Sequence, residues 1–402
     1  MKLNDICELI VDCPHSTAKD EGSGYPLIRT PNIGKGRLIL EGVHRVSKEV
    51  YDKRNARAVP QDDDLILARE APAGNVAIIK DGEKVCLGQR TVLIRPDKEK
   101  VYPDFLAYYI LAPEQQYELL GTANGATVAH VNIPVIKALP VDLPEMEQQE
   151  KAAGILKAYD DLIENNQKQI KLLEEAAQRL YKEWFVDLRF PGHEDVEIFD
   201  GVPAGWEKRI LGNLLDVVRG RSYSSKELSD SDGVLMVNLS NIRSFGGYNR
   251  DQEKRYTGKY TEEQIVKPLD LIMGVTDMTQ ERRTVGRPAL VPDLHAPAMI
   301  SMDIIKLVPK EGSPLFYYAL LMYGGYSEVI SRFANGTNVL HLRPDVLGII
   351  DVLLPGLELQ GQFVELFKPI QERINALQDE IIFAAEARDR LLPQLMSGEI
   401  EL

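Results

Sequence analysis

Two stretches of the chain carry apolar residues at alternating steps of three and four positions. This 3.5-residue period lasts about four heptads, with Lys, Glu and Gln at the outer positions, which is typical of a coiled-coil seam. Each stretch therefore predicts one long helix, and only Asn166 and Arg388 interrupt the two seams. The first predicted seam comprises Leu156, Tyr159, Ile163, Asn166, Ile170, Leu173, Ala177, Leu180 and Trp184. The second comprises Phe367, Ile370, Ile374, Leu377, Ile381, Ala384, Arg388, Leu391 and Leu395.

The two seams belong to a longer internal repeat with an offset of 211 residues. ANGATVAHV at 123–131 recurs as ANGTNVLHL at 334–342, with five of nine positions identical, and LPEME from Leu143 aligns with LPGLE from Leu354. Upstream the register drifts, but LIRTPNIGKGRL still matches LMVNLSNIRSFGGY, and DDLILA matches LDLIMG. The chain is therefore predicted to contain two copies of a unit of roughly 200 residues, a length suited to two full domains.

The region before each seam mixes strand-like runs with turn residues and one short helix. DLILA, VAII and TVLIRP are such runs in the first copy, and DLIMG and MDIIKLV in the second. The predicted fold class is α/β or α+β, with two similar globular domains joined by two long helices. The predicted boundaries are 1–144 for the first domain, 145–188 for the first helical segment, 189–205 for a linker, 206–355 for the second domain and 356–402 for the second helical segment.

Neither predicted helix can bury its apolar stripe alone, so the simplest arrangement pairs the two stripes. An antiparallel coiled coil would give the molecule a pseudo-twofold axis, and the 29-residue seam would span about 40 Å at about 1.5 Å per residue. In that register Asn166 would lie near Arg388, so that the two polar breaks satisfy each other. The alternative is that each helix docks on its own domain.

The excess of acidic residues is confined to the helical segments. The whole chain has a net charge of −14, of which residues 141–205 carry −8 and residues 351–402 carry −6, whereas 1–140 and 206–350 are close to neutral. A neutral domain can still present a basic face to nucleic acid, but an acidic helix is poorly suited to lie on phosphates.

Composition argues against a membrane, disulfide or metal-centred protein. No run of 18 apolar residues and no signal-peptide pattern occurs, so we expect a soluble cytoplasmic protein. Cys7, Cys13 and Cys86 form no C-x-x-C pair, which predicts neither a disulfide framework nor a zinc site.

No catalytic motif is recognisable in the chain. It has no tetrapeptide for methyl transfer to amino groups, no G-x-G-x-x-G after a strand and no phosphate-binding G-x-x-x-x-G-K-[ST]. Two nuclease-like clusters fail on geometry, because Asp97 and Glu99 share one turn and because Asp303 and Lys306 would lie on opposite faces of a strand. His15, His130 and His341 likewise lack partners at metal-ligand spacing.

Several segments together resemble one known family. VDCPHST, LIRTPNIGKGRL, LPVDLPEMEQQEKAAGIL, VPAGWEKRILGNL and LLPQLMSGEIEL look like the DNA-specificity subunit of type I restriction-modification systems, and the likeness covers the whole chain. One departure is the start at MKLNDIC, without the P-x-G-W lead found before the second copy.

The resemblance implies a non-catalytic subunit that binds double-stranded DNA at a bipartite target, one half per target-recognition domain. Its helices would dock two methylation subunits, which bring S-adenosylmethionine and methylate adenine, and the full complex would add two restriction subunits that use ATP and Mg. The chain itself would bind no cofactor and no metal. The acidic helices would then be protein-docking surfaces.

Two domains that read different half-sites should differ where they touch bases, so the shared ANG turns are predicted to maintain the fold. Arg suits guanine, and Asn and Gln suit adenine, so candidate base readers are polar loop residues that differ between the copies, although a structural or solvated role stays open for each. The candidates are Arg29, Thr30, Asn32, Arg69, Glu70, Gln89 and Arg90 in the first copy, and Asn238, Asn241, Arg243, Thr276, Gln280, Arg282 and Arg283 in the second.

Two other functions remain open on the sequence alone. A duplicated coiled-coil scaffold that binds only proteins would explain the helices equally well. A self-sufficient enzyme with an unrecognised active site is the other alternative.

Overall fold

The computed structural model describes residues 1–80, 82–121, 130–250, 253–400 and 402. The chain forms two compact units, of which unit 1 contains Met1–Asn165 and Glu380–Leu402, and unit 2 contains Asn166–Asp379. Each unit therefore combines one globular part with one half of each predicted helical segment. The halves belong to their units because they pack on the neighbouring globular parts, as described below.

Unit 1 is built around a five-stranded sheet and a three-stranded sheet. The larger sheet has the order β1-β8-β5-β6-β3 and the smaller one β4-β2-β7. The strands are β1 Cys7–Asp12, β2 Tyr25–Ile28, β3 Gly36–Arg37, β4 Arg45–Val46, β5 Leu65–Ala68, β6 Val76–Ile78, β7 Cys86–Leu87 and β8 Thr91–Pro96. The helices are α1 Lys48–Arg54, α2 Pro103–Leu111, α3 Pro113–Gly121, α4 Ile133–Ala138 and α5 Met146–Phe185, whose residues up to 165 belong to this unit.

The apolar runs of this sheet are continuous because both of its faces are covered. Successive side chains of a strand point to opposite faces. In β5, Leu65 and Leu67 join the core that contains α2, whereas Ile66 and Ala68 join a second core on the other face. This packing explains why DLILA shows no alternation of apolar and polar residues.

Unit 2 repeats this plan with additional short strands. Its main sheets have the orders β12-β21-β17-β19 and β13-β15-β14-β20-β16, and three two-stranded sheets pair β9 with β10, β11 with β23 and β18 with β22. The first strands are β9 Ile198–Phe199, β10 Val202–Pro203, β11 Glu207–Ile210, β12 Leu215–Arg219, β13 Leu228–Ser229, β14 Val234–Val237, β15 Arg255–Tyr256 and β16 Ile265–Val266. They are followed by β17 Leu271–Gly274, β18 Thr276–Asp277, β19 Pro288–Leu290, β20 Ala298–Ile300, β21 Ile304–Pro309, β22 Leu340–His341 and β23 Asp351–Leu354. The helices are α6 Leu211–Leu214, α7 Pro314–Tyr323, α8 Tyr326–Ser331 and α9 Leu357–Met396.

The order of the main sheet is the same in the two units. The order β1-β8-β5-β6 in unit 1 corresponds to β12-β21-β17-β19 in unit 2, with antiparallel pairing throughout. A parallel pair also recurs, as β2 with β7 and as β14 with β20. The internal repeat of the sequence is therefore a repeat of the fold.

The two long helices, α5 and α9, contain 40 residues each and begin about ten residues before the predicted seams. None of the predicted seam positions is exposed. The prediction missed two buried aromatic residues of the helices, Tyr181 and Phe363. Both lie where the helices meet the core of unit 2. Tyr181 falls between two seam positions, whereas Phe363 lies four residues before Phe367 and extends the seam by one position.

In unit 1 the first part of α5 packs against the last part of α9. Leu156 and Leu395 share one core with α2, and Arg388 donates a hydrogen bond of 2.5 Å to Asp160. Asp160 also accepts a 2.6 Å hydrogen bond from the hydroxyl of Tyr108, on α2. A carboxylate therefore satisfies the polar break at Arg388, a partner that the sequence analysis did not name.

In unit 2 an aromatic cluster joins the two helices to the globular part. The ring of Phe363 lies 5.9 Å from Trp184, 6.0 Å from Tyr181 and 5.5 Å from Phe367, measured between centroids. These residues share one core with Phe316 on α7. The helices therefore pack on each other and on their own globular part at once, which combines the two arrangements considered above.

Candidate nucleic-acid interface

Three strands of unit 1 end at the same side of its main sheet. Because β1 and β5 are each antiparallel to β8, the last residues of β1 and β5 lie beside the first residues of β8. We call the surface formed by residues 12–17, 69–75, 88–91 and 130–131 the first edge. It carries four of the predicted base readers, Arg69, Glu70, Gln89 and Arg90.

A chain of hydrogen bonds organises the first edge around Arg69. Its guanidinium binds both carboxylate oxygens of Asp12 at 2.9 and 3.0 Å, the carbonyl oxygen of Val131 at 2.9 Å and Nε2 of His130 at 2.8 Å. Because Arg only donates, Nε2 of His130 accepts, and its Nδ1 carries the proton that is donated to Glu70 at 3.0 Å. Arg69 is only 7% exposed. It therefore shapes the edge rather than presenting a free cation.

The other three predicted readers of this edge lie nearer to the solvent. Nη1 of Arg90 is 2.6 Å from a carboxylate oxygen of Glu70, and the side chain of Arg90 is 57% exposed. Gln89 accepts a hydrogen bond from Thr17 at 3.2 Å and donates one to the carbonyl oxygen of His15 at 3.1 Å. These contacts hold an amide and a guanidinium at the surface in defined positions.

The corresponding surface of unit 2 is formed by residues 219–223, 275–284, 301–303 and 335–342, which we call the second edge. Its long loop is organised by Asp277, which accepts hydrogen bonds from Thr279 and from the backbone of Thr284. Burial alone would raise the pKa of the Asp277 carboxyl group, but these hydrogen bonds lower it below its ordinary value. A carboxylate that stays ionised fixes the loop over a wide pH range.

The four predicted readers on the second edge are Thr276 in β18 and Gln280, Arg282 and Arg283 in the loop that follows it. Thr276 donates a hydrogen bond to Asp303 at 2.9 Å, and Gln280 donates one to the carbonyl oxygen of Thr337 at 2.9 Å. Arg282 donates to the carbonyl oxygen of Ser331 at 3.1 Å, whereas the exposed Arg283 pairs with its neighbour Glu281. The structure thus brings these residues together in one segment, where Thr276 is buried, Arg282 is half-buried, and Gln280 and Arg283 are exposed.

The two edges share a backbone framework. The N–H group of Val131 donates to the carbonyl oxygen of Arg69 at 2.9 Å, and Leu342 donates to Val275 at 2.8 Å. Val131 and Leu342 are equivalent in the 211-residue repeat. The same bond therefore joins each ANG segment to the loop that follows the central strand of its sheet.

The second ANG segment maintains the fold, as predicted. The backbones of Asn335 and His341 exchange two hydrogen bonds of 2.9 and 3.0 Å, and the Asn335 amide donates to the carbonyl oxygen of Phe333. At Gly336 φ is +152°, and a Cβ atom would lie 1.9 Å from the carbonyl oxygen of Val339. Only glycine fits there. Residues 123–129 of the first ANG segment lie outside the described residues.

Three predicted readers have their amides engaged inside the fold, which argues against a role in base reading. Asn32 and Asn241 end equivalent 3₁₀ turns, where each side-chain oxygen accepts from the backbone of residue 29 or 238 and each amide nitrogen donates to a loop carbonyl. Asn238 binds Met236 and Ser240 in the same way. All three are buried. Arg29 and Thr30 are half-buried beside the first of these turns.

Arg243 does not lie on the second edge. It donates a 2.6 Å hydrogen bond to Glu174 of α5 and another to the carbonyl oxygen of Gly246. Arg250 makes a comparable ion pair with Asp379 of α9. Arg243 therefore belongs to the attachment of the globular part to the helices, a role that loop position alone did not indicate.

The side chains of both nuclease-like clusters are engaged with other partners, although Asp97 and Glu99 do share one turn. Asp97 pairs with Lys100, and Lys306 donates to the carbonyl oxygen of Ile265, whereas Asp303 binds Thr276. In the part of the chain that the structure describes, no three His, Cys, Asp or Glu side chains are grouped so as to hold a metal ion. None of the helices among these residues is long and apolar enough to cross a membrane.

Comparison with known proteins identifies the family. The family described as "Type I restriction modification DNA specificity domain" matches residues 1–175. The chain is 30% identical to the putative type I restriction enzyme MjaX specificity subunit of Methanocaldococcus jannaschii, over 100% of this chain and 93% of that protein. It is 26% identical to the MjaIX specificity subunit of the same organism, with the same coverage.

A solved structure supports the fold. The S subunit of a type I restriction-modification system from M. genitalium superimposes with a TM-score of 0.62 at 14% identity, over 98% of this chain and 95% of that one. The resemblance inferred from the sequence motifs is thus confirmed. The chain belongs to the family of type I restriction enzyme specificity subunits.

Proposed function

We propose that this specificity subunit recognises a two-part sequence in double-stranded DNA, with the first edge reading one half and the second edge the other. The observation that carries the proposal is a shared backbone framework with different polar side chains on it. Glu70 and Arg90 occupy the first edge, and Gln280 and Arg283 occupy the second. Guanidinium and amide groups are the side chains that pair with guanine and adenine in the major groove.

We further propose that the chain has no active site of its own and works in a complex. Two methylation subunits would bring S-adenosylmethionine, and two restriction subunits would bring ATP and Mg, so that this chain contributes only the choice of sequence. The complex would act in the cytoplasm.

The surface of the helices supports docking of protein partners. Both helical segments are acidic, and their solvent-facing positions include apolar side chains that no core of the described residues covers, among them Leu162, Leu172, Leu366 and Phe383. Exposed apolar groups beside acidic ones suit a protein surface better than a phosphate backbone. The partners would then supply much of the positive charge that DNA binding requires.

Methyl transfer from labelled S-adenosylmethionine to host DNA tests the proposal. The purified chain alone should transfer no methyl groups, and addition of the methylation subunits should produce sequence-specific adenine methylation. Transfer by the isolated chain would show that it is an enzyme in its own right. If the assembled complex bound DNA without sequence preference, the DNA contacts would come from the partner subunits. This chain would then be a scaffold that binds only proteins.

A further inference from the structure

Residues 89–90 of unit 1 and residues 302–303 of unit 2 occupy the same place in the repeated fold. The N–H group of Arg69 donates to the carbonyl oxygen of Arg90 at 2.9 Å, and that of Val275 donates to Asp303 at 2.8 Å. Arg69 and Val275 both follow the central strand of their sheets, β5 and β17. These bonds make Arg90 and Asp303 structural equivalents, although their side chains carry opposite charge.

The residues just before these dipeptides confirm the equivalence. The N–H group of Gly88 donates to the carbonyl oxygen of Ile28 at 2.7 Å, and that of Ser301 donates to Val237 at 2.8 Å. Ile28 and Val237 end the equivalent strands β2 and β14. A Cβ atom at Gly88 would lie 2.4 Å from the carbonyl oxygen of Ile28. The backbone is therefore held closely against the sheet on one side of each dipeptide.

The side chains of the dipeptides differ in their access to the solvent, because Arg90 and Met302 are exposed whereas Gln89 and Asp303 are half-buried. Arg90 is 57% exposed, and Met302, the equivalent of Gln89, is 53% exposed. Hydrogen bonds to the sheet hold both dipeptides at the same place while their side chains differ, as sequence discrimination requires. The local backbone differs, because Arg90 has a φ of +65° and Asp303 is not among the residues with a positive φ.

The charged residue of each dipeptide has a polar partner at a second pair of equivalent positions. Glu70 and Thr276 directly follow Arg69 and Val275 in their loops. In unit 1, Glu70 holds Nη1 of Arg90 at 2.6 Å. In unit 2, Thr276 holds Oδ1 of Asp303 at 2.9 Å. The partner orients a charged group in both units, but the group is a donor in one and an acceptor in the other.

We infer that residues 90 and 303 are matched specificity-determining residues, oriented by residues 70 and 276, and that Arg90 selects guanine whereas Asp303 selects cytosine. Arginine has five N–H donors, so Glu70 leaves enough of them to bind O6 and N7 of guanine. Thr276 engages only Oδ1 of Asp303, and a second carboxylate oxygen remains to accept from the N4 amine of cytosine. This inference rests on the proposed function, because it assigns bases to the two edges.

A transplant of the pair tests the inference. The double variant Glu70→Thr, Arg90→Asp places the side chains of unit 2 on the framework of unit 1. The full chain, assembled with its methylation subunits, is used to select binding sites from a random duplex library, and the selected sites are sequenced. We expect one base pair of the first half-site to change from guanine to cytosine, with a change in preference of about 5- to 150-fold, and no change in the second half-site.

The variant Lys98→Gln is the matched control. Lys98 follows β8 and pairs with Asp63, which precedes β5, so this ion pair lies at the opposite end of the same two strands. Its loss of one positive charge equals the net charge change of the double variant, in which Glu70→Thr removes a negative charge and Arg90→Asp replaces a positive charge by a negative one. The control should select the native sequence in both halves, and a changed base preference would show that charge alone shifts the selection.

The remaining outcomes separate the inference from the proposed function. A native complex that selects no sequence overturns both. The inference alone is overturned if the native complex selects a two-part sequence and the folded double variant selects the same sequence or none. If the double variant does not fold, the single variant Arg90→Gln is tested in the same binding-site selection. This change at an exposed residue should replace the guanine requirement by adenine. Full retention of guanine would contradict the assignment.

Discussion

Replacement of Asn241 by alanine should destabilise unit 2 without changing its base preference. The Asn241 side chain accepts a hydrogen bond from the backbone N–H group of Asn238 at 3.0 Å and donates one to the carbonyl oxygen of Asn249 at 3.2 Å. Asn241 and Asn238 are both 4% exposed, whereas Asn249 is half-buried. Alanine would remove the partner of the buried N–H group of Asn238, whereas water could reach the carbonyl oxygen of Asn249.

The expected loss follows from these two groups. A buried polar group left without a partner costs about 1 to 3 kcal/mol, and a hydrated one costs less, so the free energy of unfolding of unit 2 should fall by about 2 to 3 kcal/mol. For a unit of this size that corresponds to about 4 to 12 °C in the midpoint of thermal unfolding. Asn241→Asp keeps the acceptor for Asn238 and should lose about half as much.

Tryptophan fluorescence reports this unit selectively, because both tryptophans of the chain, Trp184 and Trp206, lie within residues 166–379. Asn32→Ala makes the equivalent change in unit 1 and should move the fluorescence midpoint less than Asn241→Ala. The motif methylated with the partner subunits should stay the same for both variants. An unchanged midpoint together with a motif altered at one base pair would refute the structural role and return Asn241 to the base readers.

Three further predictions concern the helices and one thiol. Leu173→Asp should lower the free energy of unfolding by about 2 to 4 kcal/mol and weaken assembly. Leu172→Asp, at a position 64% exposed, should change the free energy of unfolding by less than about 0.5 kcal/mol, and equal effects of the two variants in chemical denaturation would contradict the seam. Asp160→Asn and Arg388→Met should show a coupling of about 1 to 2 kcal/mol in a double-mutant cycle, because the pair is largely but not fully buried, and additive losses would argue against it. Burial raises the pKa of the Cys7 thiol to about 12, which lowers its thiolate fraction below that of a free thiol at every pH under 12, so a thiol reagent at pH 8 should label it far more slowly in the native protein than in urea.

The helices were predictable because their signal is periodic and long. Every predicted seam position is buried or half-buried in the structure. An apolar 3.5-residue repeat sustained over four heptads is seldom found outside long helices that pack along one face. Tyr181 escaped the prediction because it lies off the heptad spacing and packs toward the globular part. Phe363 continues that spacing four residues before Phe367, so the predicted seam began one position too late.

The loop residues were harder to assign because polarity in a loop does not reveal where the side chain points. Asn32 and Asn241 were proposed as readers, yet both cap 3₁₀ turns, and their identical roles in the two copies were already visible as the shared Asn-Ile dipeptide. Asp303 was weighed only as a possible metal ligand beside Lys306. Its equivalence to Arg90 depends on hydrogen bonds between strands that lie far apart in sequence, which no local pattern encodes.

The central claim, that each unit reads its own half of a DNA target, is tested most directly by a chimera that carries the first reading unit twice. Residues 1–122 replace the segment between Trp206 and Ala334, so that both long helices are retained. Single-molecule mapping of methylated adenines, in a host whose own copy of the gene is replaced, then reports the motif. The account predicts a motif in which both halves equal the native first half-site. A chimera that assembles, methylates and keeps the native two-part motif would show that the units are not the readers.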